Sequence, residues 1–548
     1  MLNFNPYSYR FNSRRRSVYA KHGMVASSHP LATEAGMKIM EAGGNAIDAC
    51  VAVAIMLPVV EPAATTFGSD NFAIVWNKDK LEGMSSSGWS PYGLTEEYVK
   101  SKGYEGKIPL GGWDCTTIPG CVAGWIELLK RYGTKSLAEV AAPAIKAAEE
   151  GHPITPYVVA SFNKWRNILK ANLNEDMLKN FDDTFFPGGR APKPGSIVKY
   201  PGMARFLKEV VATDGACLYG GGDVARAIVR ESDKNGGLWK MVDFENFKPV
   251  IHEPLRTNYH GYDICELPPN GQGITALIAA NILDDYKFGE NDFGTPRTSH
   301  LQMEAIKLAF ADAKKYVGDP GYMTKVTCDM LLDPKYAAKR RSLIDETVAQ
   351  DFKAGNPDAC DTCYFCAADT EGHMISMIQS CFTPFGSAVV IPEYGLVLQA
   401  RGGSFVVEEG HVNNAGPHKK PYQTIIPAFL MKDDKPVGPF GVMGGYMQPQ
   451  GHLQVAMNLI DFHMNPQEAL DAPRFCWNAG VQFDIEDGFN PATLEDLEFK
   501  GHKLNVMNAY TGGYADRPFG RGQIIMLTDD NVLVGGSDGR GDGCIIGR

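Results

Sequence analysis

The chain has no basic surplus. Its 53 lysines and arginines are outnumbered by 64 aspartates and glutamates, a formal net charge of −11. Nucleic-acid binders carry a clustered positive surface, so a nucleic-acid partner is excluded. The one basic cluster, Arg14-Arg15-Arg16 with Arg10 and Lys21, reads as a solvated arm. Long apolar runs are missing too. The longest, residues 49–60, holds Pro58 and falls short of the roughly 20 residues a bilayer span needs. The first residues, MLNFNPYSYRFNSRRRSVYA, contain no apolar core of a secretory signal. The expectation is a soluble, cytoplasmic chain with no membrane partner. Low-complexity segments and internal repeats are also lacking, which sets aside linkers and solenoids.

What is present is ordinary globular material: 548 residues, 44% apolar and 21% charged, enough for a substantial core. The 59 glycines and 34 prolines are scattered and imply many tight turns. Without a secretory signal, the 12 cysteines read as reduced thiols. Helical periodicity marks 30–43, stopped by Gly43-Gly44, and 46–57, apolar nearly all round and so deeply buried. Residues 72–77 and 81–88 read as paired strands across the turn at 78–80. Helical patterns follow at 121–132, 136–150, 222–232, 274–285 and 299–317. After about residue 360 the pattern becomes β-rich, with short runs at 364–369, 373–381, 387–391 and 395–399. The stretch before it, DFKAGNPDACD at 351–361, is polar, with Gly and Pro, like an exposed segment. Helices layered over packed sheets would satisfy this pattern.

Three local patterns carry chemical meaning. Gly271-x-Gly273-x-x-Ala276, between strand-like YDICEL and a helix, has dinucleotide-fingerprint spacing, but Pro268-Pro269 intervene and no second mononucleotide half follows, so a tight turn is the better reading. Cys360, Cys363 and Cys366 have iron–sulfur spacing, but the fourth place, residue 370, is Thr. On a strand, Cys363 and Cys366 would also point to opposite faces. They read as ordinary cysteines, with no metal. The third pattern is Asp361-Thr362, at the entry to a strand after a polar segment. If that bond is cut, Thr362 gains an α-amine with pKa roughly 7.7–8, which can act as base for its own hydroxyl.

Seven segments taken together go further. GMVASSHPLATEAGMKIMEAGGNAIDACVAVA (23–54), PVVEPAATTFGSDNFAIVW (58–76), TTIPGCVAGW (116–125), ELPPNGQGITAL (266–277), DTCYFCAADTEGHMISMIQS (361–380), KPYQTIIPAFL (420–430) and FGVMGGYMQPQGH (440–452) resemble, in order and spacing, the gamma-glutamyltransferase (glutathione hydrolase) family, in its glutathione hydrolase-like proenzyme branch. The resemblance implies a four-layer αββα sandwich of the N-terminal-nucleophile hydrolase type. It implies one precursor cut between Asp361 and Thr362 into a large subunit, 1–361, and a small one, 362–548, which together form one domain.

Carried over residue by residue, Thr362 falls on the nucleophile, Ser380 on a hydroxyl residue assisting it, and Gly444-Gly445 on the oxyanion-binding pair. Cys363 and Tyr364 replace a second Thr and a His. Ser87 stands where glutathione-cleaving members place an arginine for the substrate's α-carboxylate. Phe382, Arg401 and Ser404 replace the side chains that bind the α-amino group, and Gln423 and Thr424 replace paired serines. With Tyr422 beside them, Ser87, Arg401, Gln423 and Thr424 form the candidate substrate-binding set. The altered set implies a small-molecule amide with a different acyl group, for instance one whose carboxylate Arg401 would hold in a bidentate fork; a structural ion pair is the other reading of Arg401. No metal or organic cofactor is required. The partners implied are the two fragments of the precursor, with a pair of copies left open. A true gamma-glutamyltransferase and an unprocessed, non-catalytic homologue stand as alternatives.

Overall fold

The computed structural model describes residues 15–352, 361–508 and 518–548. Cys360 lies outside these, as does most of the polar segment before Thr362. Two seven-stranded sheets lie face to face. From edge to edge, the Thr362 sheet runs Cys544–Gly547, Gly23–Ser27, Asp361–Asp369, His373–Phe382, Asp70–Asn77, Lys80–Ser86 and Val250–His252. The Gly444 sheet runs Val18–Ala20, Leu533–Ser537, Arg521–Leu527, Lys435–Met443, Ala428–Lys432, Tyr262–Glu266 and Leu255–Tyr259.

The alternation of side chains along each strand builds the layers. Phe72, Tyr364, Cys366 and Ile378 of the Thr362 sheet meet Phe429, Met443 and Ile525 of the Gly444 sheet in an apolar inner layer. On the outer face of the first sheet, Val75, Phe365 and Met377 pack against the helices Pro30–Glu41, Ala46–Val60 and Cys121–Tyr132. On the outer face of the second, Leu430, Val442 and Ile524 pack against Gly273–Leu283, Pro296–Tyr316 and Met447–Ile460. This is the αββα sandwich the sequence implied. Cys363 and Cys366 do diverge, one into the helical layer and one between the sheets.

The helix Ala46–Val60 shows how local sequence and tertiary packing agree. Asn45 caps it, with Asp48 returning the bond to the cap, a motif that satisfies otherwise orphaned N–H groups. The helix runs through Pro58 to Val60, past the expected end at 57. Proline removes the bond to the carbonyl four residues back, and the orphaned Ala54 carbonyl is taken by Gln379 Nε2 at 3.1 Å. A side chain from the strand paired with that of Thr362 thus repairs the helix.

Two expectations need correction. The runs at 387–391 and 395–399 reduce to Val390–Ile391 and Leu396–Val397, which pair with each other outside both sheets. The picture of a helical front and a β-rich back also gives way. The front portion supplies Gly23–Ser27, Asp70–Asn77, Lys80–Ser86 and Val250–His252 to the sheet that holds Thr362. Apart from the expected hairpin of Asp70–Asn77 with Lys80–Ser86, those pairings are long-range, so no local pattern announces them. Among the described residues, no helix is long and apolar enough to cross a membrane.

Candidate active site

Thr362 is the second residue of the strand Asp361–Asp369. The ladder with His373–Phe382 slips there: Asp361 pairs with Phe382 and Cys363 with Gln379, so Thr362 faces Ser380 and Cys381 together. Such bulges re-aim side chains. Here Thr362 Oγ donates to Ser380 Oγ at 3.2 Å, and both residues are fully buried. Gln448 Nε2 donates to Thr362 Oγ from the other side at 3.3 Å. Arg521 Nη2 donates to the Thr362 carbonyl at 3.3 Å.

Ser380 Oγ also accepts from the Phe382 N–H (2.9 Å) and from Arg401 Nη2 (3.2 Å). Phe382 has φ of 81°, a left-handed conformation that a bulky residue keeps only under tertiary constraint. Its ring lies 4.6 Å from the guanidinium of Arg401, a cation–π contact. Arg401 Nη1 donates to Thr424 Oγ at 2.7 Å. Ser404 Oγ bridges the carbonyls of Arg401 and Tyr422 at 2.8 and 2.7 Å, tying the two segments together.

A second network adjoins the first. Asp70 is the cross-strand partner of Ser380. Its carboxylate accepts from the Gly88 N–H (2.9 Å), Gln399 Nε2 (2.8 Å) and Gln423 Nε2 (2.7 Å). Burial pushes Asp70 up to about 6 despite these bonds and the opposing charges of Arg401 and Lys420. Ser87 Oγ accepts from Asn270 Nδ2 at 3.0 Å and lies 3.4 Å from Gln423 Nε2. Tyr422 meets the site through Gln272: its hydroxyl donates to Gln272 Oε1 at 3.3 Å. Gln272 Nε2 donates to the carbonyls of Thr424 (2.7 Å) and Gly445 (2.8 Å).

The PPNGQG turn is therefore a wall of this site. Its backbone is sewn to Gln423 through Gln272 N–H to Gln423 O and Gln423 N–H to Asn270 O, both 2.9 Å. Gly444 and Gly445 follow the strand Lys435–Met443 with φ of 130° and 59° and open the helix Met447–Ile460.

Thr362, Ser380, Arg401 and Thr424 thus share one hydrogen-bonded network. Ser87 and Gln423 share the adjoining one with Asp70. Tyr422 and Gly445 join through Gln272, and Asp361 begins the strand. Gln448, Asp70, Gln272 and Asn270 were missed in the sequence. Each lies inside a quoted segment, but only tertiary pairing brings it to Thr362. Cys363 Sγ donates to Glu61 Oε2 at 2.9 Å. Among the described residues, one group could converge on a cation: His300, Glu304 and His502. There Lys307 Nζ already lies 2.5 Å from Glu304 Oε1, and His300 Nδ1 is 2.8 Å from His502 Nε2, so the carboxylate already has a cation beside it.

Residues 32–547 match the family profile of gamma-glutamyltranspeptidase. The chain belongs to the gamma-glutamyltranspeptidase family. Within that family it is 34% identical over 544 residues to a glutathione hydrolase-like YwrD proenzyme of Bacillus subtilis (strain 168), covering 97% of this chain and 99% of that one. It is 31% identical over 548 residues to an acylase ACY 1 proenzyme of Pseudomonas sp. (strain SE83), covering 97% and 95%. The solved structure of a cephalosporin acylase from Bacillus halodurans superposes with a TM-score of 0.94 at 44% identity, covering 100% of this chain and 99% of that one. Enzymes of this family are N-terminal-nucleophile hydrolases, and the sandwich described above is their architecture.

Proposed function

We propose that the chain is a self-processing N-terminal-threonine amidase, with Thr362 as nucleophile and an acidic acyl group as substrate. The observation that carries this reading is the Thr362 hydroxyl, buried at the head of its strand and held between Ser380 and Gln448. The proenzyme names of the relatives agree with a cut precursor, here 1–361 and 362–548. In maturation, Thr362 Oγ attacks the Asp361 carbonyl. The peptide C–N bond breaks, the hydroxyl proton ends on the freed amine, and water splits the resulting ester.

In turnover, that amine takes the Thr362 Oγ proton as Oγ bonds to the substrate's amide carbon. The Gly444 and Gly445 N–H groups receive the oxyanion, and Ser380 orients Oγ. The proton passes to the leaving amine, the C–N bond breaks, and water or an acceptor amine resolves the acyl-enzyme. No step calls on a metal or organic cofactor.

Arg401 supports the acidic substrate class. A guanidinium cannot deprotonate, and this one bonds to the hydroxyl that touches the nucleophile, so an acyl group carrying an ammonium would be repelled there. The reading is tested with Thr362→Ala, expected to remain a single chain without activity while wild type yields fragments beginning at Met1 and Thr362. A Thr362→Ala protein that still splits between 361 and 362 would sink it. Efficient hydrolysis of γ-glutamyl anilides, with acidic amides left untouched, would overturn the substrate class while leaving the nucleophile in place.

A further inference from the structure

The helix Pro296–Tyr316 carries a buried polar group that the proposed chemistry does not use. Glu304 and Lys307 pair at 2.5 Å with both side chains buried. Withdrawing two charges from water is costly unless further hydrogen bonds serve them. Here those bonds go to one residue of the chain that leads to the cut. Lys307 Nζ donates to the Gln350 carbonyl at 2.5 Å, and Glu304 Oε2 accepts the Gln350 N–H at 3.4 Å. Lys307 Nζ also lies 5.6 Å from the centre of the Phe352 ring, and that ring packs on the same helical layer.

His300, one turn earlier on the helix, holds the same stretch of chain. Its Nε2 is 2.8 Å from the Asp345 carbonyl. A carbonyl only accepts, so this nitrogen carries the proton. With the ring neutral, as burial favours, Nδ1 is the acceptor, and His502 Nε2 donates to it at 2.8 Å. His502 lies between the helix Pro491–Phe499 and the strand Lys503–Met507, on the far side of the cut in sequence, and its Nε2 is 3.9 Å from Glu304 Oε1. Beside it, the Lys500 carbonyl accepts the Ala349 N–H at 2.7 Å, and Lys500 Nζ donates to the Glu346 carbonyl at 3.2 Å. Residues 342–352 contain no helix or strand, so no ladder fixes them. Their backbone is fixed instead at Asp345, Glu346, Ala349 and Gln350, by groups from both prospective fragments. Past Phe352, only residues 353–360 precede Asp361.

We propose that His300, Glu304, Lys307 and His502 form a positioning site for maturation, pinning residues 345–350 so that the chain enters the 361–362 bond from a fixed direction. This rests on the self-processing reading above. The attacked carbonyl is already joined to Thr362, so proximity is given. What remains to be set is the way that carbonyl faces, and the chain arriving from Phe352 sets it. The test times the appearance of the 362–548 fragment on denaturing gels in wild type, Glu304→Met/Lys307→Met and Ala349→Pro. The double variant exchanges the ion pair for apolar side chains, a change that usually spares the fold. Ala349→Pro deletes the N–H given to Lys500 on a stretch at the surface. Both should cut about 10-fold more slowly than wild type, on the scale of a misdirected reacting group. Once cut, both should keep the wild-type unfolding temperature, and wild-type kcat and KM on whichever of γ-glutamyl and glutaryl 4-nitroanilide wild type hydrolyses faster. Should the double variant not fold, Ala349→Pro decides alone. Cutting at the wild-type rate overturns the proposal. So does slower cutting matched by equal losses in the unfolding temperature and turnover of the cut protein, the mark of a purely structural cluster. If wild type itself is not cut between 361 and 362, the self-processing reading fails and takes this one with it.

Discussion

Gln448 Nε2 donates to Thr362 Oγ across 3.3 Å while Gln448 Oε1 accepts the Ile426 N–H at 3.0 Å. The second contact decides the first. With the amide oxygen held by a backbone donor, the nitrogen must face the threonine, so Thr362 Oγ accepts on that side and points its own proton at Ser380. Gln448→Glu keeps an acceptor for Ile426 and replaces the donor facing Thr362 with a second acceptor. We expect both fragment formation and kcat to fall by about 10- to 100-fold, on the scale of a lost hydrogen bond to a buried group, with KM little changed. Time-resolved denaturing gels and steady-state kinetics measure both. Wild-type rates in Gln448→Glu would remove Gln448 from any positioning role.

Gly444 occupies φ of 130°, where a side chain is strained whatever the space. A Cβ there would lie 3.1 Å from Gly520 Cα and 3.4 Å from Met447 Cβ, and the first of these is backbone that cannot rotate away. Gly444→Ala should therefore cost on the order of 1–3 kcal/mol of stability. If the Gly444-Gly445 amides hold the oxyanion, kcat should drop by about 10²- to 10³-fold as the turn shifts. Denaturant unfolding and kcat give the two numbers separately. A destabilised variant with wild-type kcat would move the oxyanion site elsewhere.

Much of this is legible in the sequence. Residues 121–132 follow a 3.6-residue period and are the helix Cys121–Tyr132; residues 373–381 read as a β-rich run and lie in the strand His373–Phe382. Thr362 stood out because a strand begins there after a polar stretch, and the spacing of seven segments pointed to its chemistry. Gln448 and Asp70 were hidden for a physical reason. Each touches the surroundings of Thr362 through pairings of distant strands and helices, and neither glutamine nor a lone aspartate has a spacing that signals a role. Residues 387–391 failed differently: their β-branched and apolar content fits a strand, but burial of the whole segment against the helical layer leaves room for only a two-residue ladder.

Asp70 offers a pH signature. Its folded pKa is raised to about 6 from 3.8, chiefly by burial. A raised folded pKa means that the group's favourable contribution is full below about 3.8 and is lost as pH rises through about 6. Relative to wild type, Asp70→Asn should become more stable between pH 4 and pH 7, by a swing on the order of 3 kcal/mol at roughly 1.4 kcal/mol per unit. Denaturant unfolding of both proteins across that range measures it. A stability difference that stays flat with pH would place the Asp70 titration elsewhere.

His452 Nδ1 and Glu266 Oε1 lie 2.6 Å apart with both side chains wholly buried. The contact ties the helix that carries Gln448 to the strand leading into Asn270 and Gln272. Burial raises Glu266 well above the usual carboxylate range and lowers His452 to about 3. Both shifts favour a neutral pair, in which the carboxyl donates to the imidazole. An ion pair and a neutral pair respond oppositely to one substitution. Glu266→Gln supplies a neutral amide donor at nearly the same position, so a neutral pair should lose no more than about 1 kcal/mol. It should also self-cleave at close to the wild-type rate, because the helix bearing Gln448 stays seated. An ion pair would instead leave an uncompensated buried imidazolium, at a cost of about 3–5 kcal/mol. Unfolding free energies of wild type and Glu266→Gln separate the two, and imidazole NMR shifts of His452 should stay flat from pH 5 to pH 8. A titration in that window, or the larger loss of stability, would show that the helix is anchored by charge.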